Sequence, residues 1–86
     1  MAADIGGLAV TADVGKEEDI QKLVDITTRQ YGPIDLFCSN AGIPSEGGAE
    51  APNAVWQRCW DVHVMAHVYA ARAVLPSMIE RKSGYL

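Results

Sequence analysis

Positive charge is in short supply in this chain. Seven Lys and Arg stand against eleven Asp and Glu in 86 residues, a net charge of −4. A general nucleic-acid binder needs a basic face to neutralise phosphates, so that class is excluded. Cysteine is scarce too: Cys38 and Cys59 have no CxxC spacing, which leaves neither a disulfide framework nor a cysteine-ligated metal site. Two packed, reduced thiols of a cytoplasmic protein are expected. Long apolar runs are missing. The stretch from Val62 to Leu75 is too short to span a bilayer and contains His63, His67 and Arg72, so no membrane association is read from it. The opening Met1-Ala2-Ala3-Asp4-Ile5-Gly6-Gly7 has neither a charged leader nor an apolar core, and no secretory signal is read there. Internal repeats and low-complexity tracts are also absent.

What is present is globular in character, with 49% hydrophobic residues. The length suits one small domain or a piece of a larger one, with a thin margin of stability. Leu8-Ala9-Val10-Thr11 predicts a short buried strand ending near Asp13. A helix follows, with Gly15 as N-cap, Glu18 at the third helical position, and an acidic first turn suited to the helix dipole. Ile20, Leu23, Val24, Thr27 and Tyr31 form its apolar stripe, and Gly32-Pro33 ends it. A second strand is predicted from Ile34 to Ser39. Residues 43–52 have loop composition. From Pro52 or Asn53 a long helix runs to about Arg81, with Pro76 as its expected kink. It is apolar on more than one face, so a second surface must cover it. Ser83-Gly84 ends that helix, and Tyr85-Leu86 open a further strand. The βαβαβ rhythm predicts an α/β fold: part of a Rossmann-like, doubly wound parallel sheet, with residues 1–86 a single incomplete segment of a larger domain.

The most informative stretch is Ile34-Asp35-Leu36-Phe37-Cys38-Ser39-Asn40-Ala41-Gly42. An apolar run ending in small and polar residues reads as a strand delivering its carboxyl end to a ligand, where open α/β sheets bind. Ala41 and Gly42 would let a ligand lie against bare backbone. Asn40 offers an amide that both donates and accepts. An ordinary turn after a strand is the plainer alternative.

Several motifs, taken in order, resemble the short-chain dehydrogenases/reductases. Ala12-Asp13-Val14 resembles the family's D-V at the end of its third strand. Gly32-Pro33-Ile34-Asp35 resembles the entry to the fourth. Ser39-Asn40-Ala41-Gly42 is similar to its N-N-A-G, with Ser39 replacing the first Asn. Trp56 through Val64, then Ala71-Arg72-Ala73-Val74-Leu75-Pro76 and Ser83-Gly84, follow its fourth helix into its fifth strand. The resemblance covers nearly the whole chain. It implies an oxidoreductase moving hydride between NAD or NADP and a small alcohol or carbonyl substrate. By position, Asp13 and Val14 would contact adenine. Asn40, Ala41 and Gly42 would line the ribose and nicotinamide side. It also implies a homo-oligomer built through the 53–81 helix, which in the family packs between subunits.

Departures from the family pattern qualify this. His63 stands where the family's D-V-N-V has a catalytic Asn, and an imidazole is bulkier and can carry a proton. His63 and His67 also have the spacing of a metal pair, but the Glu of H-E-x-x-H and a third ligand are missing, so no metal is expected. The 86 residues contain no G-x-x-x-G-x-G turn and no Tyr-x-x-x-Lys. They are therefore expected to be inactive alone, with the third- and fourth-strand segments separated rather than adjacent. A non-catalytic interaction module built on the long apolar helix is the alternative, and a Rossmann-like methyltransferase a weaker one.

Overall fold

The computed structural model describes residues 7–44 and 47–86. Readings made for the first six residues and for positions 45 and 46 lie outside the described residues. The element order is α1 (Glu17–Tyr31), α2 (Asn53–Trp60), a π-helical turn (Asp61–Met65) and α3 (Ala66–Arg81).

α1 begins one residue later than its sequence suggested. The N-cap is Lys16, not Gly15, and the third helical position belongs to Asp19, not Glu18. The cause is a tight turn. Lys16 N–H donates to the Asp13 carbonyl at 3.0 Å, and Gly15 N–H donates to Asp13 Oδ1 at 2.9 Å. Gly15 is thereby used inside the turn, and the helix starts beyond it. Asp19 Oδ2 reaches back past the cap to accept from Asp13 N–H at 2.8 Å. At the other end Gly32 adopts φ 87°, and its N–H donates to the Thr28 carbonyl at 2.9 Å. That left-handed geometry is open to glycine at little cost, and Pro33 then prevents continuation.

The second helical stretch runs from Asn53 to Arg81, as its sequence suggested. Pro76 lies within α3, where its missing N–H leaves one bond of the ladder unmade, and a second irregularity, unforeseen in the sequence, is the π-helical turn. There the Ala66 N–H donates to the Asp61 carbonyl, five residues back. Such single-turn π insertions are concentrated at functional sites.

The buried face starts within this turn. Val62, Ala66, Ala70, Val74 and Met78 recur every four residues, and all are buried. α1 adds Ile20, only 1% exposed, and lies along α3. Small side chains at Ala66 and Ala70 allow that approach. α2, before the turn, buries nothing. Six buried apolar side chains form the whole described core. The radius of gyration, 15.0 Å, exceeds the value of about 12 Å typical of a compact chain this long.

The predicted strands require correction. Among the described residues the β pairing is a single parallel bridge, Leu36 with Tyr85. Tyr85 N–H donates to Asp35 O at 2.8 Å, and Phe37 N–H donates to Tyr85 O at 3.0 Å. Leu8–Asp13 joins no bridge, so neither it nor Ile34–Ser39 forms a regular strand. The physical reason is that a strand exists through its ladder, and these segments meet almost no other backbone. No bridge links the two segments to each other.

Candidate functional site

The site is built where the α1 entry turn, the segment after Ser39 and the π-helical turn converge. A cleft of about 380 Å³ is lined by Ala12, Asp13, Val14, Ala41, Gly42, Ile43, Arg58 and Val62. It thus gathers Asp13 and Val14 with Ala41 and Gly42, residues singled out from two distant motifs. Asn40 borders an adjoining cavity of about 110 Å³, which shares Val14 and Ala41 with the first.

Asp13 is the most heavily bonded residue here. Arg58 Nη1 donates to Oδ2 at 3.1 Å, and Nη2 lies 3.1 Å from Oδ1 within the same ion pair. The Arg58 hydrogen bond, then the Gly15 N–H, hold the Asp13 carboxyl below its ordinary value. Gly15 makes the approach possible. A Cβ at that position would stand 2.9 Å from Arg58 Nη1.

His63 projects from the π-helical turn onto the loop. Its Nε2 lies 2.9 Å from the Ile43 carbonyl oxygen and 3.4 Å from the Ile43 nitrogen. The shorter distance favours the tautomer in which Nε2–H donates to the carbonyl. The ring also covers Gly42, where a Cβ would meet His63 Cε1 at 3.1 Å. His67, one turn on, pairs its Nδ1 with Ser39 Oγ at 2.6 Å. The two imidazoles therefore address opposite ends of the 39–43 segment rather than one common point. The side-chain tie from this segment to the helix comes from Ser39, next to Asn40.

Arg58 was missed as a site residue. In sequence it is one of several polar positions on a long helix, and nothing local marks it. Only the crossing of α2 over the α1 entry turn brings its guanidinium to Asp13. Cys38 and Cys59 are both free thiols. No described helix is long and apolar enough to cross a membrane.

Comparison with known proteins gives a consistent picture. The family model for short chain dehydrogenases matches residues 2–86. The CLA biosynthesis dehydrogenase/reductase of Lactiplantibacillus plantarum is 39% identical over 77 residues, covering 88% of this chain and 27% of that protein. A short-chain dehydrogenase from Streptomyces avermitilis superposes with a TM-score of 0.83 at 30% identity, over 91% of this chain and 29% of that one. The L-sorbose reductase of Gluconobacter frateurii, solved with NADPH and L-sorbose, superposes with a TM-score of 0.77 at 36% identity, over 87% of this chain and 29% of that one. The chain thus spans less than a third of the length of these relatives. With the family model matched from residue 2 to residue 86, and with both motif segments brought to one cleft, the chain belongs to the short-chain dehydrogenase family.

Proposed function

We propose that these residues form the middle part of a nicotinamide-dependent oxidoreductase interconverting a small alcohol and its carbonyl partner. The observation that carries this reading is the cleft that unites Asp13-Val14 with Ala41-Gly42. The residues suit a dinucleotide: an ionised carboxylate faces bare backbone across a cavity of about 380 Å³. Asp13 would accept from the adenine amino group, with Val14 beside the ring. Asn40, Ala41 and Gly42 would line the ribose and nicotinamide side. When bound, NAD or NADP supplies the hydride exchange at its nicotinamide ring.

His63 takes the position of the family's Asn. Its bond to Ile43 keeps the segment after Gly42 against the helix, so its role is to fix the cofactor bed rather than to donate the reaction's proton. Neither a G-x-x-x-G-x-G turn nor a Tyr-x-x-x-Lys pair occurs in the 86 residues. Alone they bind weakly and do not turn over. The Leu36–Tyr85 bridge is then the start of a parallel sheet in which the Leu8–Asp13 segment lies some strands away. The protein works in the cytoplasm.

The test is a titration of NADH fluorescence against the purified chain. A saturable change that weakens in Asp13→Ala supports the reading, and no change at all overturns it. Steady oxidation of NAD(P)H by the 86-residue chain would overturn its inactivity.

A second reading is favoured by one observation. Trp56 and Trp60 are 56% and 55% exposed, and Val64 and Val68 continue the same apolar surface. This surface suits a second copy of the protein. In the oxidoreductase reading it is a subunit interface, and in the alternative it is the whole function, a non-catalytic interaction module.

A further inference from the structure

An aspartate carboxylate offers about four acceptor positions, two on each oxygen. On Asp13, Oδ1 accepts from Gly15 N–H at 2.9 Å and sits in ion-pair contact with Arg58 Nη2 at 3.1 Å. Oδ2 receives Arg58 Nη1 at 3.1 Å and keeps one position. Asp13 and Arg58 both line the cleft. The guanidinium fork fixes the carboxylate plane as well as its charge, which the single ammonium of a lysine would not. The other charged groups around it are Lys16 and Asp19 at the α1 entry, and Asp61, whose Cβ lies beside Gly15.

Resting on the cofactor reading above, we propose that Arg58 is a positioning residue that orients Asp13 as a one-site acceptor, so that the cleft selects a 6-aminopurine over a 6-oxopurine. An exocyclic amino group donates into the remaining Oδ2 position. A 6-oxo group would set its own lone pairs against the carboxylate, and a carboxylate locked by the fork cannot rotate away or take a proton readily. Without Arg58 the carboxylate turns freely, and the preference fades. Gly15 belongs to the same device, because a side chain there would block the fork.

The experiment uses the full 86-residue chain with Arg58→Met and Arg58→Lys. Binding of adenosine and inosine monophosphates is measured by calorimetry, and the Asp13 carboxyl is titrated by carbon-13 NMR. The wild-type chain is expected to prefer the adenosine nucleotide by about tenfold, the scale of one hydrogen bond to a charged group. In Arg58→Met that ratio falls towards one and the Asp13 titration moves up towards its ordinary value. Arg58→Lys retains the charge and loses most of the preference. An unchanged ratio in Arg58→Lys or Arg58→Met overturns the proposal. If Arg58→Met unfolds, which circular dichroism reports, the lysine variant decides alone. If the Asp13 titration responds to Arg58→Met but neither nucleotide binds the wild-type chain, the ion pair stands, and the cofactor reading falls together with the purine selection built on it.

Discussion

His63 and Ile43 are joined across twenty residues of sequence by imidazole Nε2 to backbone carbonyl at 2.9 Å. This contact closes the segment that begins at Ser39 against the long helix. His67 closes the other end through Ser39 Oγ at 2.6 Å. The segment between them carries Asn40, Ala41 and Gly42, so its position relative to Asp13 depends on two rings set one helical turn apart.

Replacing His63 tests that dependence. His63→Asn keeps a donor of shorter reach and should retain most of the stability. His63→Leu leaves the Ile43 carbonyl without its protein partner and should lower stability by about 0.5–1.5 kcal/mol. Urea unfolding followed by circular dichroism measures both. Equal stability of His63→Leu and wild type would show that the contact holds nothing.

Gly42→Ala presses on the same contact from below. The new Cβ would lie 3.1 Å from His63 Cε1, so the ring must shift and its bond to Ile43 lengthen. The expected result is a change in the Ile43 amide resonance comparable to that in His63→Leu, with NADH affinity reduced. An unmoved resonance would mean that the ring has room to spare.

Acid should weaken the fold through Asp13. Its carboxyl is held below the ordinary value of 3.8 by the Arg58 and Gly15 hydrogen bonds. The folded chain therefore binds fewer protons than the unfolded chain in this range. Asp13's contribution is complete above that ordinary value and is lost as pH falls through the lowered one. Denaturation midpoints measured on lowering the pH from 6 should drop less steeply in Asp13→Asn than in wild type.

The small core predicts fragility. Ile20 is the buried side chain that α1 contributes against α3, and Ile20→Ala removes it at about 2–5 kcal/mol. With six buried apolar residues in the described core, loss of helical circular dichroism at room temperature is expected. Cooperative folding at wild-type stability would place the stabilising contacts elsewhere.

The exposed aromatic face makes its own prediction. Trp56→Glu with Trp60→Glu should shift sedimentation from an oligomer to a monomer, while the helical signal is retained because α2 buries nothing within the chain. A wild-type chain that already sediments as a monomer at high concentration would remove the interface.

Much of the helical framework was legible because helix signals are local. The acidic first turn and the Gly32-Pro33 stop each act within a few residues, and α1 appears with these features; of its apolar stripe Ile20 is buried, whereas Tyr31 is exposed. The start was displaced because the Asp13 turn consumed Gly15, a contest between two local motifs that composition alone does not decide. The extent of the second helical stretch was legible too. Its π-helical turn was not, since Asp61 to Met65 form an ordinary helical sequence with nothing local to mark the extra residue. Strand readings fared worst. Alternation and apolarity describe a segment's readiness to pair, whereas Leu36 alone among those positions bridges, to Tyr85.

The linear order of residues determined the kinship of this protein, because the Asp13-Val14, Gly32–Asp35 and Ser39–Gly42 motifs keep their spacing whatever surrounds them. It also determined where helices lie and which side chains were candidates for the cleft. The folded arrangement decided which candidates meet, that Arg58 grips Asp13, and that His63 and His67 hold opposite ends of one segment. The division has a physical cause. Periodicity and capping are energies of neighbours along the chain, whereas ion pairs such as Arg58–Asp13 arise only when the tertiary fold sets a helix against a distant turn.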